Sequence, residues 1–206
     1  MMFATLLVLA QVAAQDPRLE RLDPDTRSSV ITVVDSAHGA GLPSEPLIQR
    51  ALEGATKGAP GTRIVAAVRR LATDLGVART ALGTRASAAE LEAGVAALRA
   101  GATPQTLTAV RDARRPPLTM ALSVLADLVA SGVPADSASA VVLALASNAG
   151  DADLVEFRRA VERDISLGAP PGAAAAVRAF NTGARNLSTA DVGQPPGSTA
   201  PRPRRP

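Results

Sequence analysis

Five times along the chain a glycine is followed within three residues by a proline, with an apolar residue directly after the glycine: Gly41-Leu42-Pro43, Gly58-Ala59-Pro60, Gly101-Ala102-Thr103-Pro104, Gly132-Val133-Pro134 and Gly168-Ala169-Pro170. Glycine takes the left-handed backbone angles that end a helix at no steric cost. Proline cannot continue the old helix but suits the first turn of a new one. Punctuation of this kind cuts a chain into short helices joined by tight corners.

The stretches between the corners carry the matching pattern. Leu118, Leu122, Leu125 and Val129 recur at spacings of four, three and four, and Leu154, Phe157, Val161 and Ile165 do much the same. Ile64, Val68, Leu71, Leu75, Ala78 and Leu82 hold one face of a longer segment, in which Gly76 is a weak point. Such spacing stacks apolar side chains on one side of a helix. Asp23-Pro24 is an N-cap and first-turn pair, and Ser87 with Glu90 forms a capping box. The spacing predicts helices over 26–39, 45–57, 61–82, 88–100, 104–114, 118–131, 136–147, 152–166 and 171–181. The β-branched run Val30 to Val34 also suits a strand, but no partner strand is apparent. The expected fold is all-α, either an irregular multi-helix bundle or an α-solenoid-like array of helical hairpins joined by Gly-x-Pro turns. The corner spacing is too loose for a fixed-period repeat.

The two ends differ from this middle. Met1 to Gln15 carries no charged side chain, and an apolar core from Phe3 to Ala10 runs into Val12-Ala13-Ala14. This pattern predicts a signal peptide over residues 1–14, cleaved between Ala14 and Gln15, although no Lys or Arg precedes the apolar core. It is too short to span a bilayer, so no transmembrane span is expected in the mature chain. A single helical domain is then expected over 15–181, and a disordered Pro/Arg-rich tail over 182–206. Arg202, Arg204 and Arg205 in that tail account for the whole net charge of +3, so the body is neutral and specific nucleic-acid binding is not expected. The three arginines suit a weak contact with an anionic surface. No cysteine is present, which removes disulfides, thiol nucleophiles and Cys metal sites.

Reactive constellations are few. His38, the sole histidine, stands beside Asp35 and Ser36, but three residues in one helical turn do not line up as base, orienter and nucleophile. Lys57 lies in a glycine-rich stretch, Gly54 to Thr62, yet it precedes Gly58 rather than ending a Gly-Lys-Ser/Thr loop. Glu90 with Glu92 and Asp151 with Asp153 are paired carboxylates, and both pairs open predicted helices, where negative charge is favourable for structural reasons. Asn186-Leu187-Ser188 matches the glycosylation sequon. No catalytic, cofactor-binding or metal residue is assigned. The reading is an exported, non-enzymatic helical scaffold or binding protein of a bacterial envelope or periplasm, with a protein or peptide held in a helical groove. A bacterial source suits the preference for Arg over Lys and the many alanines. The alternative is a helical hydrolase with a site assembled from His38 and carboxylates of separate helices.

Overall fold

A computed structural model describes the chain from Asp16 to Val192, with side chains described as far as Thr182. The apolar leader with its expected cleavage point at Ala14 and Gln15 lies outside the described residues, as do Arg202, Arg204 and Arg205. A single 3₁₀ turn, Pro17–Arg21, precedes α1 (Pro24–Gly39), α2 (Glu45–Thr56), α3 (Gly61–Leu82), α4 (Ala88–Ala100), α5 (Pro104–Ala113), α6 (Thr119–Ala130), α7 (Ala135–Ala146), α8 (Asp151–Ser166) and α9 (Pro171–Val192). Among the described residues there is no strand. The run Val30 to Val34 is inside α1, and its two ends are fully buried.

The five glycine corners are built alike. Gly41, Gly58, Gly101, Gly132 and Gly168 all have positive φ, from 64° to 117°. In each, the glycine N–H donates to the carbonyl three residues back and the next N–H to the carbonyl five residues back. At the α6–α7 corner these are Gly132 to Val129 at 2.9 Å and Val133 to Leu128 at 3.0 Å. The pair of bonds satisfies carbonyls that a helix end leaves unpaired, and the apolar residue that follows folds back on the helix just ended. Pro60, Pro134 and Pro170 then stand directly before α3, α7 and α9, while Pro104 opens α5. A sixth corner, at Gly83 with φ of 90°, ends α3 without any proline behind it.

Two boundaries depart from expectation by more than one residue. The first helix begins at Pro24, two residues before the predicted start, because the Asp23 carboxylate accepts the Thr26 N–H at 3.0 Å and caps it. The last helix runs on to Val192 instead of ending at 181. Averaged over 182–206 the composition disfavours helix, yet its prolines begin only at Pro195, so Thr182 to Val192 contains no proline to stop the helix.

Packing follows one rule. Helix α1 lies on α3, α3 on α5, α5 on α7 and α7 on α9; in the same way α4 lies on α6 and α6 on α8. The helices therefore form two layers, odd-numbered and even-numbered, joined where α3 meets α4, α6 meets α7 and α8 meets α9. Helix α2 sits at one end of the even layer, held by α3 and the 3₁₀ turn. This is how an α-solenoid is built, each unit leaning only on its neighbours in sequence. Leu, Val and Ala fill the space between layers, with Phe157 the largest buried side chain. Small residues set the spacing: a Cβ on Gly94 would come within 3.0 Å of Leu82 Cδ1. Charged side chains on the rims join one element to another, as in Arg18–Glu45, Arg99–Asp74, Arg158–Asp127 and Arg178–Asp164.

Candidate functional site

His38 occupies the exposed last turn of α1. The shallow groove beside it, about 430 Å³, is lined by Leu42, Pro43, Ser44, Arg79 and Leu91 among others, and no carboxylate contributes to it. Arg79 donates to the Gly41 carbonyl at 2.8 Å and so fastens the α1–α2 corner to α3. Asp35 and Ser36 belong to the same helix as His38. Successive positions on a helix fan out by about 100°, so the three do not converge on one point.

The glycine-rich stretch around Lys57 is a packed corner. Lys57 pairs with Glu53 of its own helix at 2.5 Å. Gly61 opens α3 against α1, where a Cβ would fall 1.9 Å from Thr26 Oγ1. Close helix approach explains that glycine without any bound phosphate.

The paired carboxylates part company. Glu90 is buried, while Glu92, two positions on, is exposed. Glu90 Oε2 accepts from the Ser87 N–H at 2.8 Å and the Ser87 hydroxyl at 3.0 Å, and Oε1 accepts from the Leu118 N–H at 2.8 Å. Burial pushes this carboxyl up, but the bonds from Ser87 and Leu118 together outweigh burial and hold it below the usual range. Asp151 binds the Arg114 guanidinium, whose other arm donates to the Ala149 carbonyl at 2.5 Å. Asp153 accepts the Gly150 N–H at 2.8 Å. These groups tie helix ends together. Among the described residues no three His, Asp or Glu side chains gather as a metal-ligand set, and no helix is long and apolar enough to cross a membrane. The Asn186 sequon falls on the backbone of α9, beyond the described side chains.

The larger open features lie on the even-numbered helices. The first, about 1040 Å³, runs along the outer face of α8, where Ala152, Val155, Glu156, Arg159, Ala160 and Arg163 repeat at helical spacing between Met120 of α6 and Arg178 of α9. The second, about 620 Å³, separates Glu45, Gln49 and Glu53 of α2 from Glu92, Val95 and Arg99 of α4. The first groove sets three arginines against Asp151 and Glu156, and the second sets three glutamates against Arg50 and Arg99. Arg18 and then Gln49 hold Glu45 down at about 2, and Lys57 with Arg50 holds Glu53 below the ordinary carboxylate range. Both stay anionic at neutral pH and make poor proton donors. In the second groove Glu45 and Glu53 therefore act as fixed negative charges.

Sequence reasoning did not single out these grooves. The α8 stripe was present as an i, i+3, i+4, i+7 pattern outside the buried Leu154, Phe157 and Val161. Also missed were Leu167, Val177 and Phe180, large apolar side chains left 80%, 59% and 77% exposed. Comparison with protein-family models, with curated proteins and with solved structures returned no match.

Proposed function

We propose that this chain is an exported, non-enzymatic helical scaffold of a bacterial envelope or periplasm that works by holding a protein or peptide segment against its even-numbered helices. The observation that carries this reading is the groove along α8, in which Ala152, Val155 and Met120 form an apolar strip with Arg159 and Arg163 towards one end and Asp151 and Glu156 towards the other. An apolar strip with cations towards one end is matched by an amphipathic segment with acidic residues at that end, docked as a helix or an extended chain. The carboxylates singled out in the sequence support the same view, since Glu90 and Asp151 bind the ends of neighbouring helices and Asp153 caps its own. Export rests on the apolar leader in the sequence.

Photo-crosslinking in cells of the source organism tests the groove. A photoreactive residue at Val155 is expected to give a discrete protein adduct that disappears when Arg159→Glu and Arg163→Glu are added. The same residue at Thr73, on exposed α3, gives none. Equal labelling at both positions overturns the groove reading. Intact mass of the protein recovered from the envelope fraction tests export, and a mass retaining Met1 to Ala14 refutes it.

A further inference from the structure

We propose that the groove at the α1–α2 corner is a binding site for a phosphate group, taken up by Arg79, His38 and Ser44. The groove holds about 430 Å³, within the roughly 300–1,000 Å³ that small-molecule sites occupy. Its polar lining comes from three separate places in the fold: His38 from the last turn of α1, Ser44 from the corner and Arg79 from α3. Each carries a hydrogen-bond donor, two are basic, and no carboxylate lines the groove.

The lining favours an anion because its cation is uncommitted. Arg79 spends one N–H on the Gly41 carbonyl, at 2.8 Å, and among the described residues no carboxylate pairs with it. The guanidinium lies close over the corner: a Cβ on Gly41 would come within 3.1 Å of Nη2, so the glycine leaves it room. It is thus held in place before any ligand arrives, and its planar fork matches two oxygens of a phosphate. The acidic groups of the neighbouring elements are engaged elsewhere. Glu45, next to Ser44, accepts from Arg18 and Gln49, and Glu90 of α4 accepts from Ser87 and Leu118. Asp35, one turn before His38 on α1, does not line the groove.

Ser44 supplies a second, independent observation. Its hydroxyl oxygen is closed off from solvent and has no hydrogen-bond partner among the described residues, and it does not cap α2, at whose start it stands. Buried polar atoms left unpaired are few in native proteins, and each calls for a reason. Rotation about the Cα–Cβ bond turns this hydroxyl towards a ligand oxygen in the groove that Ser44 lines. Ser44 and Ala88 also mark the starts of α2 and α4, where the positive ends of two helix dipoles lie. The last carbonyls of α1, by contrast, are spent on the N–H groups of Ala40, Gly41 and Leu42. Leu42, Pro43 and Leu91 form an apolar wall on which the organic part of a phosphate monoester would rest.

The site is independent of the α8 groove, and the test separates the two. His38 is the only histidine, so its ring gives one unmistakable NMR signal. Titrating the full chain with inorganic phosphate at neutral pH and constant ionic strength should move that signal and the Gly41 and Ser44 amides together, saturating with a Kd of about 1 mM or tighter, whereas chloride should not. Ser44→Ala should weaken phosphate about tenfold without lowering the Tm, because the hydroxyl it removes is bonded to nothing in the free protein. Arg79→Lys, which keeps the charge but loses the fork, should weaken it at least as much, and Arg163→Glu, in the α8 groove, should change nothing. Phenyl phosphate in a parallel titration distinguishes the source: tighter binding than inorganic phosphate identifies a monoester that uses the apolar wall, and no gain identifies free phosphate. Shifts that never saturate, shifts reproduced by chloride, or full affinity in Ser44→Ala overturn the proposal.

Discussion

Replacing Glu90 by Gln tests the account of how the two halves of the even layer are joined. The carboxylate accepts three hydrogen bonds, two from Ser87 and one from Leu118, so it binds the start of α4 to the residue just before α6. A glutamine has one oxygen fewer. Whichever way its amide turns, an NH2 group faces a backbone N–H, and one buried donor loses its acceptor, at about 1–3 kcal/mol. The bonds that survive fall from charge-assisted to neutral, at about 1 kcal/mol more, while relief of the buried charge returns part of the loss. The net is about 2 kcal/mol, a large share of the roughly 5–15 kcal/mol that holds a typical domain folded. Ser87→Ala should cost less, about 1 kcal/mol, because Leu118 keeps its partner.

The assay is urea unfolding followed by helical circular dichroism, at neutral and at acid pH. The Glu90 carboxyl has a folded pKa below its unfolded value. Its contribution is therefore complete above the unfolded pKa, about 4.3, and fades as the pH falls through the folded value. The gap between parent and Glu90→Gln should be widest at pH 7 and should shrink as the pH falls below the unfolded carboxyl pKa and on through the lower folded one, where the parent takes up its own proton. A gap under about 0.5 kcal/mol at pH 7, or one equally wide in acid, would show that these bonds do not act as described.

Gly61→Ala should destabilise by about 1–3 kcal/mol, since its Cβ would lie 1.9 Å from Thr26 Oγ1. Thr26→Ala should recover part of that loss, and simple additivity of the two changes in unfolding experiments would count against the contact. Gly76→Ala should do the opposite: it sits inside α3 with nothing within 4 Å of a new Cβ, so the Tm should rise, reflecting about 0.5–1 kcal/mol of regained helix propensity. Any fall in Tm refutes it. Arg114→Met keeps the apolar stem but drops the bonds to Ala149 and Asp151, at about 2 kcal/mol. Amide hydrogen exchange should then quicken at the α7–α8 corner, Asn148 to Asp151, more than in α3.

Local chemistry was legible in the sequence, and long-range chemistry was not. The glycine–proline corners and the Ser87–Glu90 box could be read because each is complete within about six residues. The third bond of Glu90 goes to Leu118, 28 positions on, and depends on which helix ends meet. Arg114 is a similar case: it reads as favourable charge at the end of α5, yet its guanidinium reaches across to the end of α7. The Gly83 corner escaped notice because no proline follows the glycine. The 3₁₀ turn depends on Asp16 capping Arg18, and Arg18 in turn on Glu45 of α2, a partner 27 residues away. The α8 groove needed more than its own spacing, since Met120 and Arg178 make it concave.

Every substantial contact between helices joins elements one or two places apart along the chain. No distant segment has to find another before the structure begins to hold, so ordering can start at any corner and spread as a zipper does in either direction. Loss of an end helix, by the same logic, unfastens one tooth and leaves the others closed. A gene encoding such a chain can gain or lose a helix pair at a glycine–proline corner without redesign of the rest, and the length of the array can change by whole units.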